Sequence, residues 1–181
     1  MKKIFGAVIV AASLTTAAVA AAQAVTTKAV GSVSVYFSPG GGAEGAVVDE
    51  VRAAQHRILV QAYSFTSPPI YKALAEAKAR GVDVRVLVDK EARSPDFRGT
   101  GARYDLQHGV QVAVDEIPGK GIAHNKVMVI DGGTVITGSF NFSRQAETTN
   151  AENLVVFKNS PDLVRAYTQN WSARAARAQP Y

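Results

Sequence analysis

Apolar and polar residues follow two different periods along the chain from residue 33 onward. Short apolar and β-branched runs predict strands over 33–37, 57–63, 82–89, 110–114, 126–131, 134–137 and 152–157. Apolar residues at helical spacing predict helices over 43–54, 68–80, 102–108 and 161–178. Strands that alternate with helices in this way are typical of an α/β domain.

Turn and capping residues support this division of the chain. Ser67 followed by Pro68 is typical of a helix N-terminus. The polar stretch 90–100 contains proline and glycine and predicts a surface loop. The Asp-Gly-Gly sequence at 131–133 lies between two strands and predicts a β-hairpin. Because no repeat or linker follows residue 32, we expect one folded domain over 25–181.

The composition excludes several classes of protein. The chain has 181 residues, no cysteine and a net charge of +5. Without cysteine it has no disulfide scaffold, no thiol nucleophile and no cysteine-based metal site. A content of 47% hydrophobic and 19% charged residues excludes a disordered polyampholyte. The positive charge points to an anionic partner.

The first 24 residues have the pattern of a secretory signal peptide. Lys2 and Lys3 precede the almost wholly apolar stretch 4–14, and small residues follow at the spacing that signal peptidase accepts. We therefore expect residues 1–24 to be removed, the mature protein to be periplasmic or secreted, and no stable membrane insertion after cleavage. A retained membrane anchor is the alternative, because the stretch 4–27 is uncharged and long enough to span a bilayer. Without Lys2 and Lys3 the net charge falls to +3, which identifies no partner by itself.

Four polar side chains are predicted to meet at one edge of the sheet. His124 and Lys126 lie two residues apart in an extended segment and therefore share a face. The hairpin reverses the chain, so that the returning strand ends at Ser139 and Asn141, opposite them. This set suits phosphoryl transfer, because a neutral imidazole can take a phosphoryl group covalently. The ammonium and the carboxamide can stabilise the charge that develops on the phosphate oxygens.

Three further residues belong to this predicted site. Glu152 could accept the other ring N–H of His124 and fix its tautomer. Gly138 would allow the backbone to come close to the phosphate. Asp131 lies at the far end of its strand, so we expect it to be structural and to cap the hairpin turn. No second histidine lies near His124 in the sequence, and no metal site is predicted.

Other residues with relevant chemistry have simpler explanations. We expect His56 and His108 to be non-catalytic. Core packing is the default for the aromatic residues near the site, which could otherwise stack on bases or line an acyl groove; they are Tyr63, Phe65, Phe140 and Phe142. Basic residues before the motif form either a solvated face or a groove for a polyanion; they are Arg93, Arg98, Arg103 and Lys120.

The stretch from His124 to Asn141 resembles the HKD motif of the phospholipase D superfamily, His-x-Lys-x4-Asp-x6-Gly-Ser-x-Asn. Every fixed position is met in order and spacing. By size and its single motif, the chain is similar to the small bacterial Nuc-type endonucleases of that superfamily. The resemblance implies a mixed β-sheet flanked by helices on both faces. It also implies that His124 is the nucleophile, Lys126 and Asn141 bind phosphate, Ser139 is a supporting contact, and Glu152 is the partner of the histidine.

The family's reaction uses two such motifs, one histidine attacking and the other protonating the leaving oxygen, whereas this chain carries one. The resemblance therefore implies a homodimer with a two-fold axis through a shared active site, working without a metal or other cofactor. We expect an exported endonuclease that cleaves DNA, with RNA left open, and has little sequence specificity. Two alternatives remain: a phospholipase D acting on lipids such as cardiolipin, with an apolar surface around its pocket, and a non-catalytic nucleic-acid-binding module.

Overall fold

The computed structural model describes residues 31–94 and 99–181. The predicted signal peptide, residues 1–24, lies outside the described residues. In the described ranges, no helix is both long and apolar enough to cross a bilayer. The elements are, in chain order, β1 (Val33–Ser38), α1 (Ala43–Ala53), β2 (Arg57–Ala62), α2 (Pro68–Ala79), β3 (Asp83–Asp89), a 3₁₀ helix (Lys90–Arg93), α3 (Thr100–Gln107), β4 (Gln111–Asp115), β5 (Lys126–Ile130), β6 (Thr134–Gly138), α4 (Arg144–Thr148), β7 (Glu152–Lys158), α5 (Pro161–Ala175) and β8 (Gln179–Pro180).

Eight strands form one mixed sheet in the order β1-β7-β6-β5-β2-β3-β4-β8. β2, β3 and β4 run parallel, because α2 and α3 carry the chain back between them. The remaining neighbours pair antiparallel. The sheet therefore has a parallel part that ends in an antiparallel meander, which confirms the expected mixed α/β sheet.

Helices cover both faces of the sheet, as expected. On one face, α1, α2 and α3 bury the larger core, whose members include Val47, Leu74, Ala102 and Met128. On the other face, α5 packs through Trp171, whose indole Nε1 donates to the backbone oxygen of Val60 at 2.9 Å. Every residue of β5 is buried, because this strand is covered from both sides. This burial fixes the strand that carries Lys126.

The capping and turn signals have the structural roles expected of them. The Ser67 hydroxyl accepts a hydrogen bond from the backbone N–H of Ile70 at 3.4 Å, and Pro68 is the first residue of α2. The Asp-Gly-Gly turn joins β5 to β6 in an antiparallel hairpin. The sequence signals at these two points therefore predict the local structure correctly.

Several boundaries and short elements differ from the sequence prediction. α3 begins at Thr100 rather than at residue 102. α5 ends at Ala175 rather than near residue 178, because the chain then forms β8 beside β4. The stretch predicted as a loop begins with the 3₁₀ helix, and its residues 95–98 lie outside the described residues. α4 is not predicted, because five residues are too few to show an apolar period.

Candidate active site

The start of β5, the end of β6 and the start of β7 lie at one edge of the sheet. Val127 pairs with Thr137 across the hairpin, and Gly138 pairs with Leu154 of the next strand. The carboxyl end of β2 reaches the same edge, since Ala62 pairs with Lys126. The structure therefore brings together the ends of the strands that carry the predicted site.

An open cleft of about 470 Å³ lies at this edge of the sheet. All five side chains that the sequence assigns to binding or catalysis line it: His124, Lys126, Ser139, Asn141 and Glu152. The two other histidines do not line it. His56 is exposed at the start of β2, and His108 stacks on Tyr104 with ring centroids 4.0 Å apart.

Lys126 and His124 are in direct contact. The ammonium Nζ of Lys126 lies 3.0 Å from each imidazole nitrogen of His124, and it donates to the backbone oxygen of His124 at 2.7 Å. Burial, opposed by the charge of Glu152, lowers the pKa of Lys126 to about 8. Burial and the neighbouring ammonium also lower the pKa of His124, although Asp89 acts in the opposite direction. The imidazole is therefore neutral at neutral pH and retains a nitrogen lone pair for attack.

Glu152 does not contact His124 as the sequence prediction required. One carboxylate oxygen accepts a hydrogen bond from the Ser139 hydroxyl at 2.6 Å, and the other accepts from the amide of Asn150 at 2.9 Å. Within the described ranges, no hydrogen bond joins Glu152 to the imidazole. The correction has a simple cause: β7 begins beside the end of β6, so nearer donors occupy both oxygens. Glu152 acts on the site through its charge on Lys126.

The Ser139 hydroxyl is engaged by the protein on both sides. It donates to Glu152 and accepts from the backbone N–H and the side-chain amide of Asn153 at 3.0 and 3.3 Å. This hydroxyl ties the end of β6 to the start of β7. Its placement in the cleft still allows contact with a substrate, but its first role is to connect two strands.

Asn141 lies between two aromatic anchors. Phe140 and Phe142 are fully buried in the main core, so the alternation of the chain sets the intervening side chain apart from them, at the cleft. The side-chain oxygen Oδ1 of Asn141 is buried and has no hydrogen-bond partner in the described part of the chain. Its carboxamide is therefore not committed to another protein group through that atom. The core packing expected of the two phenylalanines is confirmed.

The two motif residues expected to be structural differ in detail from the prediction. Asp131 lies at the opposite end of β5, but its carboxylate does not cap its own turn. It accepts from the backbone N–H groups of Gln55, His56 and Arg57 at 2.7 to 2.8 Å and so fixes the entry to β2. Burial tends to raise the pKa of Asp131, but these N–H groups hold it below its usual range.

Gly138 allows β6 to approach β7 closely, whereas the sequence predicts a close approach of the backbone to the phosphate at this position. Its φ is 150°, and a Cβ at this position would lie 2.2 Å from the backbone oxygen of Asn153. Any side chain would therefore collide with the backbone of β7. The glycine is therefore required by the neighbouring strand and not by the phosphate, although it occupies the expected position of the motif.

The basic residues before the motif are largely used within the fold. Arg93 forms an ion pair with Glu116, and Arg103 donates to a backbone oxygen at 3.2 Å. Lys120 is exposed on the segment before His124, and Arg98 lies outside the described residues. Of the three described residues in this set, Arg93 and Arg103 are therefore engaged by the protein itself. Across residues 31–94 and 99–181, no cluster of three or more metal-ligating side chains occurs.

Two residues beside the site were not predicted to belong to it. Tyr63, for which core packing was expected, follows β2 and contacts the imidazole of His124, with ring centroids 4.6 Å apart. Asp89 is the last residue of β3 and influences the pKa of His124. Both residues lie at the carboxyl ends of parallel strands, where functional residues of α/β proteins gather. This position is the signal in the sequence that could have identified them.

The chain is similar to known proteins over most of its length. Residues 47–174 match the family described as cardiolipin synthase, PLD-like domain. A phospholipase D from Rickettsia bellii is 40% identical over 146 residues, which are 80% of this chain and 70% of the relative. A mitochondrial cardiolipin hydrolase from Xenopus tropicalis is 31% identical over 118 residues, 65% of this chain and 54% of that protein.

A solved structure confirms the relationship. The crystal structure of Nuc from Salmonella typhimurium, a phospholipase D family member, superimposes with a TM-score of 0.77 at 39% identity. The superposition covers 83% of this chain and 97% of Nuc, so the two share the whole sheet and its flanking helices rather than the motif alone. The chain thus belongs to the phospholipase D superfamily and is one of its phosphodiesterases.

Proposed function

We propose that this protein is an exported, metal-independent endonuclease that hydrolyses phosphodiester bonds of DNA. Cleavage of RNA is to be measured in the same assays. The observation that carries the proposal is the convergence of His124, Lys126 and Asn141 in one open cleft. The similarity to Nuc over nearly the whole of that chain supports a nuclease rather than another phosphodiesterase. No base-reading module is evident in the sequence, which favours low sequence specificity.

The reaction is proposed to proceed in two displacements at phosphorus. A ring nitrogen of His124 attacks the phosphorus atom, the bond to the leaving oxygen breaks, and that oxygen takes a proton from a second imidazole. Water then attacks the phosphohistidine and gives a proton to the second imidazole, and the phosphorus–nitrogen bond breaks. Both imidazoles return to their starting states, so no cofactor is consumed.

Lys126 and Asn141 are the proposed stabilisers of the transition state. The Lys126 ammonium lies 3.0 Å from the attacking ring. A phosphate bound to His124 would therefore lie next to this ammonium. The side-chain N–H group of Asn141, which lines the same cleft, supplies a second, neutral donor. Loss of one such donor typically costs about 2.7–4 kcal/mol of transition-state stabilisation.

Plasmid cleavage tests the proposal directly. Purified protein should convert supercoiled plasmid to nicked and linear forms in the presence of a metal chelator, and His124→Ala should abolish this activity. His56→Ala is the matched control, because His56 is exposed at the opposite end of β2 from the cleft. Cleavage that persists in His124→Ala, or that requires a divalent ion, would overturn the mechanism. Binding of DNA without any cleavage would favour the nucleic-acid-binding module.

The second imidazole is proposed to come from a second copy of the chain. Alternate residues of the edge strand β1 expose large apolar side chains on one face: Val33 is 47% exposed, Val35 51% and Phe37 65%. We call this set the β1 stripe. Phe37 pairs with Asn153, next to Glu152, so the stripe runs up to the cleft. A partner that covers the stripe would bury apolar surface and lie beside the active site.

Mixed dimers test whether two copies share one site. Co-expression of wild type with His124→Ala in equal amounts should leave about one quarter of the wild-type activity if each site needs two imidazoles. About one half would remain if each chain worked alone. Phe37→Glu should produce monomers with little activity, whereas Leu106→Glu, at an exposed position on α3, should leave the dimer intact. A wild-type protein that sediments as an active monomer would contradict the proposal.

A phospholipase D acting on lipids such as cardiolipin is the second candidate function. The β1 stripe favours it, because exposed apolar side chains beside the cleft could contact acyl chains. The relatives named phospholipase D and cardiolipin hydrolase support the same substrate class. Release of phosphatidic acid from cardiolipin vesicles, measured beside plasmid cleavage with the same protein, distinguishes the two. Turnover of lipid alone would replace the nuclease proposal.

Export rests on the N-terminal pattern alone. We propose that residues 1–24 are cleaved and that the mature protein is periplasmic or secreted. N-terminal sequencing of protein from the periplasm and the medium should begin near Gln23 or Val25. An intact N-terminus in the membrane fraction would support the retained anchor instead.

A further inference from the structure

His124 lies in a segment that the sheet does not hold. Residues 116–125, between β4 and β5, form neither helix nor strand, and the segment contains one proline and two glycines. A reacting atom displaced by only about 1 Å can lower a rate by roughly 100-fold. The imidazole therefore needs contacts from elsewhere in the fold to be held in place.

Asp89 holds the backbone next to the histidine. This carboxylate is fully buried at the end of β3. Its Oδ2 accepts a hydrogen bond from the backbone N–H of Ala123 at 2.6 Å, and its Oδ1 accepts from the N–H of Glu91 at 2.9 Å. Hydrogen bonds to a charged acceptor are short and strong. One side chain thus joins β3 to the residue that precedes His124.

Tyr63 holds the ring itself. Its phenol ring and the imidazole have centroids 4.6 Å apart at an angle of 54°. The Lys126 ammonium lies 5.2 Å from the centroid of the same phenol ring. The ammonium and the imidazole therefore lie against one aromatic side chain. The Tyr63 hydroxyl donates to the carboxylate of Glu91 at 3.2 Å. Glu91 also donates its backbone N–H to Asp89, which links the two supports.

We propose that Tyr63 and Asp89 are positioning residues that hold the imidazole of His124 ready for attack. The inference rests on His124 being the nucleophile of the proposed function. Asp89 fixes the main chain and Tyr63 limits rotation of the ring, and neither residue bonds to the substrate. The phenol ring of Tyr63 and the ammonium of Lys126 contact the imidazole, and the charge of Asp89 acts on its pKa.

Substitutions at both positions test the proposal by kinetics. Asp89→Asn places an amide N–H against one of two backbone N–H groups, so we expect kcat to fall by about 100-fold with KM nearly unchanged. Tyr63→Leu should also lower kcat selectively, and Tyr63→Phe should restore most of it because the ring remains. Asp83→Asn, at the exposed start of the same strand β3, is the matched control and should leave kcat and KM unchanged.

The titration of His124 gives a readout that a purely structural role would not change. Because Asp89 raises the pKa of His124, Asp89→Asn should lower it, and the acidic limb of the kcat/KM profile should move to lower pH. The chain has three histidines, so NMR of histidine-labelled protein can follow the His124 ring separately. The NMR shift does not depend on turnover, and it therefore remains measurable if the protein proves not to be a nuclease.

Two results would overturn the proposal. Unchanged kcat and unchanged His124 titration in folded Asp89→Asn and Tyr63→Leu would show that the supports are not needed. A rise in KM with constant kcat would show that they bind substrate instead. If Asp89→Asn does not fold, the comparison of Tyr63→Leu with Tyr63→Phe still tests the proposal. A kcat that is lost in Tyr63→Leu and kept in Tyr63→Phe is specific to positioning by the ring.

Discussion

Asp105, on α3, is a buried carboxyl group, and its replacement tests the protonation state that burial imposes on it. The residue is fully buried, and neither carboxylate oxygen has a hydrogen-bond partner among residues 31–94 and 99–181. Burial raises the pKa of Asp105 to about 8. The folded protein therefore holds this group protonated at neutral pH, whereas the unfolded chain ionises it near pH 3.9.

The sign and size of the effect follow from this difference. Between about pH 4 and pH 8 the folded state binds one more proton than the unfolded state, so raising the pH lowers the free energy of unfolding by about 1.4 kcal/mol per pH unit. From pH 5 to pH 7 the loss from Asp105 is roughly 3 kcal/mol. Asp105→Asn removes this term, because the amide does not titrate.

Urea unfolding at several pH values measures the effect. The stability of Asp105→Asn relative to wild type should increase by about 1.4 kcal/mol per unit from pH 5 to pH 7 and level off above pH 8. Asp49→Asn, at an exposed position of α1, is the matched control for the loss of one carboxylate. A flat difference between Asp105→Asn and wild type would refute the reasoning, since it would mean that Asp105 is ionised in the folded protein.

Three further predictions follow from other contacts. Gly138→Ala should lower the free energy of unfolding by roughly 2–4 kcal/mol, because its Cβ would meet the backbone of β7; Gly133→Ala, in open space, should cost far less in the same urea titration. Asp131→Ala should cost about 1–3 kcal/mol at neutral pH through three lost backbone contacts. That difference should shrink as the pH falls through the lowered pKa of Asp131, which acid titration of both proteins checks. The kcat/KM profile should be bell-shaped, because one imidazole of the pair must be neutral and the other protonated, and the loss of the Lys126 proton above about pH 8 should lower the rate further.

The sequence predicts the fold and the motif well because both depend on local pattern. Among the described residues, the apolar periods locate the seven longer strands and four of the five α-helices. The Asp-Gly-Gly turn defines the hairpin that places Lys126 opposite the end of β6. Residues two apart on a strand lie on the same face of the sheet, and residues paired across a hairpin lie next to each other. The sequence alone therefore predicts that the cleft residues His124 and Asn141 lie together.

The contacts that the sequence does not predict join segments far apart in the chain. The analogy with a triad predicts that Glu152 contacts His124, but neighbouring strand ends provide closer donors in Ser139 and Asn150. Tyr63 and Asp89 reach the site from β2 and β3, and only the strand order shows that these ends adjoin the start of β5. No local period encodes which side chain at a strand end faces which neighbour.

The stereochemical course at phosphorus tests the central claim most directly. A DNA phosphorothioate of known configuration is hydrolysed in ¹⁸O-labelled water, and the configuration of the product is determined by ³¹P NMR. Attack by His124 followed by attack by water gives two inversions, so the account predicts overall retention. Net inversion would show that water displaces the leaving oxygen in a single step, and it would contradict a covalent intermediate on His124.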